Sequence, residues 1–313
     1  MRILGLLREG KTPSDQRAVL NPAQCRELMD RHPDWRIWVQ PSSVRAIPDA
    51  AYVAAGCDLV EDLSPAELIL SVKEVPTANL VAGAAHFFFS HTYKGQPYNR
   101  GLLRACLEAG VRLVDWELLR RDGQRLIGFG EYAGLVGAYE ALRGWGLQRG
   151  TWNFTPAAQL GRVAALKAEL AQHAWPLEAR VVLTGTGRVG HGAAEMLRAG
   201  GFAEVDPAAF LAGAQGPCFT VLAAKDYARR RYDGGFDRSE FHKHPERYDS
   251  ALAPYLEVAT VYLPCHFYAE GGPAFFTAAD VLRATNRLEF VGDISCDIAG
   301  NVAHEFQSVG RAQ

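Results

Sequence analysis

Between Val181 and Asp206 the chain has the residue types and spacing needed to hold a diphosphate. An apolar, β-prone run, Val181–Thr184, leads directly into Gly185-Thr186-Gly187-Arg188-Val189-Gly190 and then into a helical stretch through Arg198. In a strand–turn–helix unit the first glycine permits the tight turn. The second lets the backbone approach a pyrophosphate, and the third permits close helix–strand packing. The free N–H groups at the helix start, around Arg188 and Val189, and the positive end of the helix dipole then favour phosphate. A second strand should end about 20 residues on with an acid for the ribose hydroxyls. Ala203–Val205 is the predicted strand and Asp206 the predicted acid. An acid on the ribose would repel a 2′-phosphate and favour NAD over NADP, although Asp-Pro is also a common turn-former.

A second set of residues suits proton transfer. Lys73 follows the apolar run Leu68–Val72, and His91 follows His86–Ser90. If those runs are parallel strands, both side chains emerge at the carboxyl edge of a sheet, where ligands bind. A partly desolvated lysine can work as a base, and histidine titrates near neutrality without help. Arg17, after the first apolar run, could hold a carboxylate bidentately. Glu117, after Val111–Val114, could orient a lysine or face solvent. On spacing alone, a solvated Lys73 and a capping His91 remain open readings. The six cysteines form no CxxC pair, and the His242-Lys243-His244 cluster does not have the spacing of a metal site, so no metal is expected.

These residues need a scaffold. Ile3–Leu7, Arg36–Val39, Leu68–Val72, His86–Phe89 and Val111–Val114 read as strands. Pro22–Met29, Ala50–Ala55 and Arg100–Ala109 read as helices, the last stopped by Gly110. Strands and helices in alternation predict a parallel α/β sheet. Gly130–Trp145, with Tyr132, Leu135, Tyr139 and Leu142 at helical spacing, marks the boundary between two domains, 1–130 and 131–313. Ala164–His173 is a further helix. The predicted fold class is therefore α/β, with two Rossmann-like parallel-sheet domains and a cleft between them.

Bulk properties narrow the function. The chain has 313 residues, 48% hydrophobic and 22% charged, with a formal net charge of −2. This balance offers no global field for nucleic acid or an anionic membrane. No run reaches the roughly 20 apolar residues of a membrane helix. Scattered single cysteines and the absence of a signal-like N-terminus predict a reducing, cytoplasmic location.

Several longer segments resemble one family. Gln40-Pro41-Ser42-Ser43, Lys73-Glu74-Val75-Pro76, Phe87 through Gln96, and Gly128-Phe129-Gly130-Glu131-Tyr132-Ala133-Gly134 look like the lysine-forming saccharopine dehydrogenases. They look closest to the lysine–ketoglutarate reductase half of the bifunctional aminoadipic semialdehyde synthases. Phe236-Asp237-Arg238, His244 through Tyr248, and Gly292 through Asp297 continue the pattern, so the resemblance runs from about Arg8 to about Asp297. The wider fold group includes alanine dehydrogenase and the transhydrogenases.

The resemblance implies an oxidoreductase acting on CH–NH groups. It would join L-lysine to 2-oxoglutarate through an imine reduced by NAD(P)H, giving saccharopine, or run the reverse. It implies Lys73 as the base on the amine, His91 as the acid–base group at the imine carbon, and Lys94 and Glu117 as flanking groups that tune them. It also implies Arg17 as the substrate-carboxylate ligand and Asp293 as an acid near the nicotinamide. Small amino-acid and 2-oxo-acid substrates follow, with a homo-oligomer left open. An alanine dehydrogenase-like or other opine-type activity is one alternative. A non-catalytic dinucleotide-binding protein is another, because the ending Ile298–Gln313 departs from the family and predicts a shortened C-terminal part.

Overall fold

The computed structural model describes residues 1–295 except 11, 13, 96, 269–270, 278–284 and 286. The expected departure at Ile298–Gln313 therefore lies outside the described residues, as do Cys296 and Asp297. The chain divides into two units, Met1–Gly128 and Phe129–Gln313.

The first unit is built on six strands: β1 (Arg2–Leu6), β2 (Trp35–Val39), β3 (Asp58–Leu59), β4 (Leu68–Leu70), β5 (Ala85–Phe88) and β6 (Arg112–Asp115). They run in the order β3-β2-β1-β4-β5-β6, every pairing parallel. Helices α1 (Pro22–Arg31), α2 (Asp49–Ala54) and α3 (Arg100–Glu108) lie between strands in sequence, as parallel crossovers require. Side-chain alternation divides the core between the two faces. Leu4, Leu6, Ile37, Val39 and Leu70 pack with Cys25 of α1 and Tyr52 of α2. Ile69 and Phe88 pack with Leu102 and Cys106 of α3. A small antiparallel pair, β7 (Arg120–Arg121) and β8 (Gln124–Arg125), follows β6.

The predicted strands Leu68–Val72 and His86–Phe89 end earlier than expected, at Leu70 and Phe88. The reason is tertiary. The N–H groups of Val72 and Lys73 go to the carboxylate of Glu9, and those of Ser90 and His91 go to the carboxylate of Asp115.

The second unit opens with the long helix α4 (Gly130–Arg149), followed by α5 (Ala157–Leu160) and α6 (Val163–Ala171). Then come β9 (Arg180–Thr184), α7 (Arg188–Ala199), β10 (Ala203–Glu204), α8 (Pro207–Leu211), β11 (Cys218–Leu222), α9 (Ala224–Tyr227), β12 (Ala228–Arg230), α10 (Arg238–Lys243), β13 (Tyr248–Ser250), α11 (Ala253–Leu256), β14 (Val261–Pro264) and β15 (Phe290–Val291). The main sheet is parallel, in the order β10-β11-β9-β14-β15. β12 and β13 form a separate antiparallel ribbon. Val181, Leu183, Phe219, Val261 and Leu263 pack against α4, α6 and α7, whereas Val182, Leu222 and Tyr262 face Phe210, Tyr227 and Tyr248. Both faces are covered, as an all-parallel sheet demands. At the crossing of α4 and α7, a Cβ on Gly134 would land on the carbonyl oxygen of Val189, so only glycine permits this approach. Among the described residues, no helix is long and apolar enough to cross a membrane.

Candidate functional site

In the first unit the residues of interest come from the carboxyl ends of four neighbouring strands, β1, β4, β5 and β6. Glu9, Asp15 and Arg17 follow β1, and Lys73 and Glu74 follow β4. His91 follows β5, and Asp115 and Glu117 end β6 or follow it. Glu9 Oε1 accepts the Val72 N–H at 2.6 Å and its Oε2 accepts the Lys73 N–H at 2.9 Å. Burial raises the Glu9 carboxyl above its usual range, against the two N–H groups that favour its charge.

The Lys73 ammonium takes no hydrogen bond among the described residues and lies within electrostatic reach of Asp15. Asp15 in turn is bonded by Arg17, Nε to Oδ1 at 2.9 Å and Nη2 to Oδ2 at 2.5 Å. The Arg17 guanidinium holds the Asp15 carboxyl below the ordinary carboxylate range, and Lys73 adds to the effect. Arg17 is thus anchored by a carboxylate of its own loop, and its expected bidentate fork is used there.

His91 Nδ1 lies 2.8 Å from Glu74 Oε1, with their side chains 21% and 15% exposed. When Nδ1 carries the proton it donates to Glu74, which leaves Nε2 as the ring nitrogen for a reacting group. Phe89 stacks beside the imidazole. Glu117 Oε1 accepts from Arg125 Nη1 at 3.3 Å, and its backbone N–H donates to Asp115 Oδ1 at 2.8 Å. Lys94 sits in the short helix Thr92–Lys94, and its side chain lies outside the described residues.

The glycine turn of the second unit has the predicted form. Gly185 has φ +103°, and a Cβ there would meet the backbone of His266. A Cβ on Gly190 would land on the carbonyl oxygen of Gly185. Gly187 differs from both. Its φ is −85° and its Cβ would meet nothing within 4 Å among the described residues, so neither backbone strain nor packing against them requires glycine there. Helix α7 begins at this point without a side-chain cap, leaving its first N–H groups for an anion.

A cavity of about 620 Å³ opens at the turn, lined by Gly185, Gly187, Arg188 and Val189 and by residues following β11 and β14. Behind it, Thr184 Oγ1 lies 2.7 Å from His266 Nδ1 and 3.2 Å from the hydroxyl of Tyr262. Burial raises the Tyr262 and Cys265 groups well above their usual ranges, so both stay protonated. Asp293 follows β15, and its Oδ1 accepts from the N–H and hydroxyl of Ser295, which lines the cavity.

Asp206 does not meet its expectation. The strand before it, β10, pairs with β11 at the sheet edge, and the neighbours of β9 are β11 and β14. The Asp206 carboxylate accepts the N–H groups of Ala208 and Ala209, capping α8, and Asp206 does not line the cavity. The strand beside β9 is β11, and it runs into Ala223, Ala224 and Lys225, which do line it.

Sequence reasoning missed Lys225, Arg238 and His242 at the cavity, and the carboxylates Glu9, Asp15 and Asp115. Lys225 was within its reach. It follows an apolar run, Cys218–Leu222, as Lys73 does.

Residues 5–136 match the family described as alanine dehydrogenase/PNT, N-terminal domain. The alpha-aminoadipic semialdehyde synthase of Arabidopsis thaliana is 31% identical over 96% of this chain and 32% of its own length. That of Bos taurus is 32% identical over 94% of this chain and 34% of its own. The saccharopine dehydrogenase [NAD(+), L-lysine-forming] of Yarrowia lipolytica is 29% identical over 63% of this chain and 58% of its own. The chain is a homologue of the alpha-aminoadipic semialdehyde synthases and the saccharopine dehydrogenases. It spans about a third of the length of the synthases it matches. Among solved structures, an L-alanine dehydrogenase superposes with a TM-score of 0.56 at 16% identity, over 96% of this chain and 76% of that one. A transhydrogenase from Sinorhizobium meliloti gives 0.51 at 16%, over 90% and 74%. The fold is that of this alanine dehydrogenase-like group.

Proposed function

We propose that the chain is a nicotinamide-dependent oxidoreductase acting on CH–NH groups, joining L-lysine to 2-oxoglutarate as saccharopine or running the reverse. The observation that carries this reading is the pairing, on one sheet edge, of an uncommitted amine, Lys73, with an imidazole, His91, oriented by Glu74. Imine chemistry needs these two functions. Lys73 takes a proton from the substrate ammonium, so that its nitrogen can attack the keto carbon. His91 Nε2 gives a proton to the carbinolamine oxygen as water leaves and the C=N bond forms. The product of that dehydration is the protonated imine; a bound dinucleotide would supply a hydride to its carbon, which leaves the nitrogen as a secondary amine. Arg17, braced by Asp15, is the residue proposed to meet a substrate carboxylate.

The dinucleotide would lie on the Gly185–Gly190 turn with its diphosphate at the start of α7. The lining of the cavity supports one of the two cofactors over the other. The adenosine ribose is met at the end of the strand beside the first one. Here that position offers Lys225, with Arg238 and His242 on the same cavity and no carboxylate among the described lining residues. Cations without an acid suit a 2′-phosphate, so NADP(H) is the preferred cofactor in this reading.

The test is oxidation of NADPH that requires lysine and 2-oxoglutarate together. Turnover with pyruvate and ammonia alone would favour the alanine dehydrogenase-like alternative, which the shared fold supports. Dinucleotide binding without turnover on any of these substrates would leave the non-catalytic reading.

A further inference from the structure

We propose that Asp115 is a positioning residue that sets the aim of the His91 imidazole, an inference that rests on the acid–base reading of His91 above. Asp115 ends β6, beside β5, and is 7% exposed. Its Oδ2 accepts three hydrogen bonds: from the Ser90 N–H at 3.0 Å, the Ser90 hydroxyl at 2.6 Å and the His91 N–H at 3.1 Å. Its Oδ1 accepts the Glu117 N–H at 2.8 Å.

His91 itself stands at φ 53°, and only one other non-glycine residue among those described, Asp122, has a positive φ. A side-chain-bearing residue keeps that conformation only when its surroundings over-determine it. Two successive N–H groups converging on one carboxylate oxygen supply that constraint. The resulting turn brings Nδ1 to within 2.8 Å of Glu74 Oε1. Without the carboxylate, the backbone N–H groups of Ser90, His91 and Glu117 lose their acceptor, the turn at His91 relaxes to an ordinary φ, and the ring leaves Glu74. Lys73 is held by a different carboxylate, Glu9, so the damage falls on the imidazole and spares the amine.

The experiment compares Asp115→Ala, Asp115→Asn and His91→Ala in the full chain. It reads kcat, KM, dinucleotide affinity and the Nδ1–H resonance of His91 in protein carrying 15N-histidine. For Asp115→Ala, kcat falls by about 100-fold, the scale of an ångström-sized misplacement of a reacting group. KM for the dinucleotide is unchanged, and the low-field Nδ1–H signal disappears. Asp115→Asn keeps an oxygen for Ser90 and His91 and restores most of both. Should Asp115→Ala not fold, Asp115→Glu decides: its displaced carboxylate lowers kcat with KM unchanged, and wild-type kcat overturns the proposal. A retained signal with wild-type kcat in Asp115→Ala also overturns it, as does a loss of kcat and dinucleotide affinity in equal proportion. Wild-type kcat in His91→Ala refutes the acid–base reading instead.

Discussion

Gly187→Ala should move stability and ligand affinity in opposite directions. At φ −85° and ψ −169° the backbone suits alanine, and the new Cβ would meet no atom of the described residues within 4 Å. Such a replacement removes freedom from the unfolded chain and stabilises by about 0.4–1 kcal/mol. The same methyl group occupies the space a diphosphate must enter to reach the N–H groups of α7. Hydrogen bonds to charged groups contribute about 1.5–3 kcal/mol each, so losing one weakens binding roughly 10- to 100-fold. Urea unfolding gives the first quantity, and fluorescence titration with NADPH and NADH gives the second. Gly185→Ala and Gly190→Ala are the contrasting cases, and both should lower the urea midpoint, since their Cβ atoms meet backbone. Wild-type dinucleotide affinity in Gly187→Ala would refute the reasoning. So would a fall in its urea midpoint, which would make Gly187 structural.

Three further outcomes are expected. His86 is fully buried, its Nε2 accepts the Val81 N–H at 3.0 Å, and burial lowers its pKa to about 4. The folded chain then refuses a proton that the unfolded chain takes below about pH 6.5, so stability falls as pH drops from about 6.5 toward 4, by about 1.4 kcal/mol at pH 5.5. Urea midpoints at pH 7.5 and 5.5 should therefore differ more in the wild type than in His86→Leu, and equal differences would contradict this. Lys73→Met and His91→Ala should each lower kcat by about 10²–10⁴-fold with dinucleotide affinity unchanged; parallel losses in both quantities would make the residues structural. Lys225→Ala should weaken NADPH binding by roughly 10-fold or more while leaving NADH binding nearly unaltered, and equal effects on the two cofactors would remove the 2′-phosphate assignment.

Much of the fold was legible because its signals are short-range. Five of the six strands of the first sheet show as apolar runs, the exception being the two-residue edge strand β3, and α1 begins with Pro22 after an Asn21 cap, which are local preferences. The strand ends were misread at Val72 and Phe89. The Val72 N–H is taken by Glu9, and the Ser90 N–H just past Phe89 by Asp115, acceptors that lie 63 and 25 positions away along the chain. Lys73 and His91 could be placed at a sheet edge from the sequence, but the partners that aim them could not.

The amino-acid order by itself determined the glycine turn, because backbone freedom at Gly185, approach space at Gly187 and close packing at Gly190 are properties of a few adjacent residues. Only the tertiary structure decided which side chains line the cavity at the end of the strand beside β9. That depends on which strand hydrogen-bonds beside β9, and the chain passes through the edge strand β10 before it returns as β11. A count of positions along the chain finds Asp206 first, whereas the long-range pairing of β11 with β9 puts Lys225 there.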